Sequence, residues 1–356
     1  MRILTVFSQP IENNTSSMIR CRNVLNGFAE IGNSIVAYSP YPDKHSKYYG
    51  EKFSINDSIQ VRRYGREVKT NTVPNVNGRF KSLLLKIYRK FDLFGSAIKY
   101  YRFTDEILEE IKDEKYDMLL SLSSPIVSHI ISNKIDVSLK PQLYIQQWGD
   151  PLTADITRKT LTPKWLQKRI EKKLLLRADK VYYVSPFTLF EQQRLYPGLK
   201  DKMSFVPTPA NKHVYSSPNN QSLCIGYFGS YYPSARNIIP LYEAVKKLGN
   251  VDLTVVGDSD LQLNEEKNIH LFERLTPDEL GRYLEKVDII VCLMNSKGNQ
   301  IPGKTYSYAC TNKEVLMILD GEQAESIKQF FGRYNRFTFC TNNVKEIEKT
   351  LQRYIA

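Results

Sequence analysis

The chain has no apolar run near the roughly 20 uncharged residues that a membrane-spanning helix needs, although it is 356 residues long. Its opening residues, MRILTVFSQ, enter a strand-like run at once, without the basic-then-apolar layout of a secretory leader. The expected location is therefore the cytosol, or peripherally the cytosolic face of a membrane. Histidine is scarce: His45, His129, His213 and His270 are all there is, and they do not cluster. The five cysteines (Cys21, Cys224, Cys292, Cys310, Cys340) are scattered and odd in number. With no C-x-x-C pair and no Cys/His cluster at zinc spacing, buried reduced thiols are expected, and no metal site.

What is present is a globular composition, 42% hydrophobic and 25% charged, in a chain too long for one ordinary core. The net charge of +12 is one-sided. Residues 1–215 hold 34 Lys/Arg against 21 Asp/Glu, and the remainder 16 against 17. A basic surface confined to the first part implies an anionic partner there: phospholipid, a lipid diphosphate or nucleic acid. The competing explanation is a lysine-rich face kept for solubility.

Short β-branched runs alternate with helical patterns. Ile3–Ser8, Ser34–Tyr38, Asp117–Ser123, Gln142–Trp148 and Lys180–Ser185 predict buried strands, with helices such as Met18–Ile31 and Pro186–Tyr196 between them. A polar stretch rich in Pro, Asn and Ser, Thr208–Ser222, then interrupts the pattern. It restarts with strands at Leu223–Ser230, Asp252–Gly257, Asn268–Phe272, Asp288–Met294, Val315–Asp320 and Phe337–Cys340, and with helices including Arg236–Leu248 and Gly303–Ala309. The expected fold is α/β, two doubly wound Rossmann-like domains facing across a cleft. The boundaries are 1–210 for the first domain, 211–222 for a linker and 223–340 for the second domain. Residues 341–356 form a last helix with the option of packing back toward the first domain. One segment departs from the alternation: 77–102 carries an aromatic apolar stripe beside many cations, and 164–177 is a second basic run. Both suit contact with an anionic membrane; the alternative is that the stripe packs on the core.

Two places carry chemistry in the second half. Tyr227–Phe228–Gly229–Ser230 ends a strand and leads toward Arg236, where an anion could meet a helix start and a guanidinium. Ile301–Pro302–Gly303–Lys304 opens another helix with a cation in its first turn. Two helix starts, each with one cation, suit a diphosphate held without metal. By spacing alone Lys304 reads as a solvated lysine, and many strand-to-helix turns contain Gly and Arg. In the first half, Gln146–Gln147–Trp148–Gly149–Asp150 ends a strand. There Trp148 is a candidate to stack on a sugar and Asp150 to accept a proton, or simply to start a turn before Pro151.

In order and spacing, YFGSYYPSARNIIPLYEAV, LTVVGDSD, ERLTPDELGRYLEKVDIIVCLM and IPGKTYSYACTNKEVLMIL resemble the donor half of GT-B glycosyltransferases. The nearest likeness is to the retaining group 4 enzymes of bacterial surface-polysaccharide synthesis. ILTVFSQP…SSMIRCRNVLNGFAEIGNSIVAYSP and YYVSPFTLFEQQRLYPGLKDKMSFVPTP resemble the first domain more loosely. The resemblance implies a nucleotide diphosphate sugar donor and no other cofactor. It implies that Arg236 and Lys304 hold the diphosphate, with Gly229, Ser230, Pro302 and Gly303 around it and Arg274 near the base. Members usually carry Glu where Ser307 stands, reaching the ribose, and often another near Gln300; this chain has neither. On the acceptor side it points to the polar loop Ser8–Met18, with Thr15, Ser16, Ser17 and Arg20 and with Arg22 beyond, for a glycan or lipid-diphosphate-linked acceptor. In the mechanism usually proposed, the leaving phosphate itself takes the acceptor's proton, so Arg236 and Lys304 outrank Asp150.

Other classes stay open. Asp258–Ser259–Asp260 resembles the metal-binding D-x-D of single-domain transferases, but sits at a strand end. A catalytically inactive relative, a hydrolysing epimerase and a basic protein that binds nucleic acid or a membrane are the rivals; no nucleic-acid motif is present, so no such partner is expected.

Overall fold

The computed structural model describes residues 1–67, 90–123, 125–155, 160–216 and 221–355. The chain divides into two units, Met1–Pro209 and Ala210–Ala356, each built on its own parallel sheet.

Among the described residues the first unit has seven strands: β1 (Arg2–Val6), β2 (Ser34–Pro40), β3 (Ile59–Tyr64), β4 (Met118–Leu122), β5 (Leu143–Trp148), β6 (Lys180–Tyr183) and β7 (Met203–Phe205). Their order is 3-2-1-4-5-6-7. Alternate side chains feed two apolar layers. Leu4, Val6, Val36, Tyr38 and Leu119 enter one, and Ile3, Phe7, Ile35, Ala37 and Leu120 the other. Burial on both faces is why these strands are nearly continuous apolar runs. Helices α1 (Ser16–Glu30), α2 (Thr104–Ile111), α3 (Val127–Leu139), α4 (Lys164–Arg177) and α5 (Pro186–Leu195) cover the faces. Thr15 caps α1 by accepting from the Met18 amide at 3.3 Å.

The second unit repeats the design with β8 (Leu223–Phe228), β9 (Val251–Val256), β10 (Ile269–Phe272), β11 (Ile289–Leu293), β12 (Glu314–Leu319) and β13 (Thr338–Thr341), in the order 10-9-8-11-12-13. Its helices are α6 (Ile239–Leu248), α7 (Pro277–Lys286), α8 (Lys304–Ala309), α9 (Ala324–Gly332) and α10 (Val344–Ile355). Ile347 and Leu351 of α10 are buried in this unit's own core, and Lys247 of α6 pairs with Glu348 at 2.8 Å. Residues after Pro209 are tied to the same unit: the Lys313 ammonium donates to the Ser216 carbonyl at 3.0 Å.

Strand order reverses between β1 and β4 in one sheet and between β8 and β11 in the other. In open α/β sheets the crevice at the carboxyl ends of such a pair is where ligands bind. Two details differ from the expectation. Helix α6 begins at Ile239, because Pro240 suits a first turn and the Asn237 side chain accepts from the Ile239 amide at 3.1 Å; Arg236 therefore lies on the preceding turn. Of the stripe 77–102, residues 77–89 lie outside the described residues. Of the rest, residues from Gly95 enter a 3-10 turn, Gly95–Phe103, and Leu93 before it and Ala97 within it pack into the core.

One buried acid sets the path of the chain after β5. Glu171 of α4 accepts from the Leu152 amide (2.9 Å), the Thr153 hydroxyl (2.5 Å) and the Tyr196 hydroxyl (3.0 Å). Burial raises its carboxyl above the usual range, against these hydrogen bonds. A raised folded value means that the group favours the fold while protonated, and that this contribution fades as pH climbs past the unfolded value. Glu171→Ala strands three donors and is expected to cost about 3 kcal/mol in urea denaturation. Glu171→Gln should cost less and remove that group's share of the pH dependence.

Candidate functional site

The second sheet's switch point gathers three cations. Strand β8 ends at Phe228, whose carbonyl accepts both the Lys304 ammonium (2.6 Å) and the Tyr308 hydroxyl (2.9 Å). Residues 304 and 308 are one turn apart, so α8 sits with that face over the strand end. Thr305 behind it meets the buried Cys292 thiol of β11 at 3.1 Å. Arg336 closes the far end of α8, donating to the carbonyls of Ala309 (3.1 Å) and Thr311 (2.7 Å).

Arg236 reaches the same place from the turn after β8. Its amide donates to the Tyr232 carbonyl at 2.7 Å, and Ser296 donates to the Ala235 carbonyl at 2.7 Å, tying this turn to the loop beyond β11. Its guanidinium lies by Tyr227, and its Nε is buried without a hydrogen-bond partner. Arg274 approaches from beyond β10, paired with Asp258 at 2.9 Å. Burial, then the fields of Arg274 and Arg236, pull Lys304 down to about 8. Among the described residues neither Arg236 nor Lys304 has a carboxylate partner. Cations packed together without counter-charge make a site that awaits an anion.

The remaining donor-side candidates line this point. Gly229 donates to the Val256 carbonyl at 2.8 Å, and Ser230 follows it. A side chain at Gly257 would strike the Gly229 carbonyl, so only glycine lets the two strand ends approach this closely. Pro302 and Gly303 are half-buried at the entry to α8, and Ser307 is half-buried one turn along from Lys304. Sequence reasoning did not find two supports, Tyr308 and Arg336, nor that Asp258 pairs with Arg274. Asp258 carried a signal only through the D-x-D resemblance, and Gln300, seven residues before Ser307, has its Nε2 buried without a partner. Asp258 is engaged with Arg274, the role it takes in place of the D-x-D resemblance.

The first sheet's switch point holds the acceptor-side candidates unevenly. Thr15 and Ser17 share a hydrogen bond at 3.1 Å, and Ser16 is exposed at the start of α1. Arg20 donates to the Ser123 carbonyl at 2.8 Å, and a side chain at Gly149 would strike its guanidinium. Arg22 is buried and donates to the Ile11 (2.6 Å) and Asn13 (3.0 Å) carbonyls, so it braces the loop and is not offered to a phosphate. Trp148 is a correction too. It is fully buried, stacked on His129 with centroids 4.3 Å apart and donating to Gln146 at 3.0 Å, so it has no face for a sugar. In a strand buried on both faces, even the last position points into a core. Asp150 is exposed just past the end of β5.

No protein-family model matches the chain, and no curated protein matches its sequence. Solved structures do match its fold. HepE from Anabaena, in complex with UDP and glucose, has a TM-score of 0.61 at 10% identity, covering 100% of this chain and 90% of that one. Sucrose-phosphate synthase from Thermosynechococcus elongatus has a TM-score of 0.62 at 12% identity, covering 100% and 90%. A glycosyltransferase from Rickettsia africae has a TM-score of 0.57 at 14% identity, covering 99% and 88%. Two Rossmann-like units with these neighbours make this the GT-B fold.

Arg236 and Lys304 together should bind inorganic pyrophosphate, with Arg236→Ala and Lys304→Ala each weakening it at least about tenfold by calorimetry. Lys304 is lowered in the free protein, and a bound dianion favours its ammonium form. Above pH 8 binding must take up a proton, so affinity should fall by up to about tenfold per pH unit, and Lys304→Met should lose that dependence.

Proposed function

We propose that this chain is a glycosyltransferase that moves a sugar from a nucleotide diphosphate to a glycan or lipid-diphosphate-linked acceptor, in the making of surface polysaccharide. One observation carries the reading: Lys304 and Arg236 stand together, without a carboxylate, at the carboxyl end of β8. The GT-B fold supports it, since nucleotide sugars bind at such switch points.

In this reading Arg236 and Lys304 grip the diphosphate between Gly229–Ser230 and Pro302–Gly303. Arg274 lies toward the base and Ser307 toward the ribose. The cations neutralise charge as the diphosphate departs, which is the largest share of the work the protein does. The transfer retains configuration, with the leaving phosphate oxygen taking the acceptor's proton on the same face of the sugar. No metal is needed, because two fixed cations already meet the leaving group. Thr15, Ser16, Ser17 and Arg20 belong to the acceptor, and Asp150 is at most an auxiliary base.

Thermal stabilisation by UDP, GDP or ADP tests the donor site, and slow hydrolysis of a panel of sugar nucleotides identifies the donor. Lys304→Ala should reduce that hydrolysis by about a hundredfold to a thousandfold. No stabilisation by any nucleoside diphosphate would sink the proposal; binding with no hydrolysis or transfer of any sugar nucleotide would leave an inactive relative. The hydroxyl at 307 bonds a ribose oxygen more weakly than a carboxylate does. Ser307→Glu should therefore tighten the nucleoside diphosphate by about tenfold relative to pyrophosphate.

A further inference from the structure

Helix α4 turns two unlike faces. Gln167, Glu171, Leu174 and Leu175 are buried, whereas Trp165, Lys168, Arg169, Lys172, Lys173 and Leu176 are exposed. At 100° per residue Trp165, Arg169, Lys172 and Leu176 fall in one narrow arc, with Lys168 and Lys173 at its flanks. The helix has one acid, Glu171, and it points inward onto Leu152 and Tyr196. Among the described residues Lys168, Arg169, Lys172 and Lys173 form no ion pair.

The apolar part continues beyond the helix. The Leu161 amide donates to the Lys90 carbonyl at 2.6 Å, and the Thr162 hydroxyl to the Phe91 carbonyl at 2.7 Å. These bonds hold Phe91 and Leu161 beside the start of α4. Phe91 is 51%, Leu161 61% and Trp165 64% exposed. Three large apolar side chains held in water by fixed backbone mark an interaction surface rather than scattered surface residues.

We propose that this face docks on an anionic phospholipid surface, with Trp165, Leu161 and Phe91 seated at headgroup depth and Lys168, Arg169, Lys172 and Lys173 against the lipid phosphates. An indole beside a cation stripe on a helix lying in the interface plane is the chemistry of such contacts. The basic excess of residues 1–215 attracts the same surface at longer range. A second copy is a poor fit, because a two-fold contact would set this cation stripe against itself. Nucleic acid would use the cations but leave Leu161 and Leu176 without a partner. The proposal does not rest on the transferase reading.

The chain has two tryptophans, and Trp148 is fully buried, so an environment-dependent change in emission reports Trp165. Vesicles of phosphatidylglycerol and phosphatidylcholine should shift the emission to the blue and co-sediment the full chain, whereas phosphatidylcholine alone should do neither. Added salt should reverse binding. Each cation near the surface is worth about a fivefold change in binding. The double variant Lys168→Glu/Lys172→Glu should therefore co-sediment roughly tenfold or more weakly, and Trp165→Ser should weaken binding with the charge intact. Melting midpoints equal to the parent's show that the variants fold. Equal binding to neutral vesicles, undiminished binding by the variants, or an emission shift caused by an oligonucleotide but not by vesicles would each overturn the proposal. Nucleoside diphosphate binding, measured in parallel, reports on the transferase reading separately.

Discussion

The bond from Lys304 to the Phe228 carbonyl is the constraint on which the rest of the geometry at the second sheet's switch point depends. A half-buried lysine without a carboxylate partner costs stability, and its depressed proton affinity registers that cost. A strand-end carbonyl at the carboxyl edge of a parallel sheet lies past the last ladder bond, so it is open to such a donor. Tyr308 shares it from the same helix face. Helix α8 has only six residues and would not persist alone, so these two bonds, the Thr305–Cys292 contact and the Arg336 collar hold it. Arg336 also places a cation at the negative end of the helix dipole. A helix too short to form by itself is thereby made rigid enough to aim an ammonium.

Both sheets treat their switch points alike, with a cation tied to a carbonyl rather than to an acid. In the first unit Arg20 bonds Ser123, and its Nε, like that of Arg236, is buried without a partner. Burial, with the field of Arg20 added, pulls His129 down to about 3, which keeps the imidazole neutral across working pH. The units differ in charge density. Among the described residues one guanidinium stands at the first switch point, and three cations, one of them paired, stand at the second. A field of the second kind suits a group with two or more negative charges, and one of the first kind suits a single charge or a polar ligand.

Much of this was legible because both sheets are buried on both faces. Such strands are apolar runs, and those read from the sequence end within two residues of the observed ones. The two missed strands, β3 and β7, are the outer strands of the first sheet. Ile59–Tyr64 carries Arg62 and Arg63, and Met203–Phe205 is three residues long, so an edge position erased the signal in both. The pairing of Arg236 with Lys304 was readable from spacing and resemblance. Its supports were not, because Tyr308, Arg336 and Asp258 act through carbonyls and charges brought from distant positions. Trp148 misled for a related reason: strand ends at a switch point favour function, yet a doubly buried strand gives its last residue no outward side.

The serine at 307 and the weakened basicity of Lys304 belong together. Position 307 is one helical turn from 304, so a carboxylate there would partly neutralise the ammonium and raise its proton affinity. With a hydroxyl instead, burial and the fields of Arg274 and Arg236 meet no acid from α8, and the site holds more net positive charge than one that carries the acid. On the proposed reading the gain goes to the phosphates and the loss to the ribose: such a site would discriminate weakly between nucleosides and strongly between charge states, the reverse of the balance a ribose-binding carboxylate imposes.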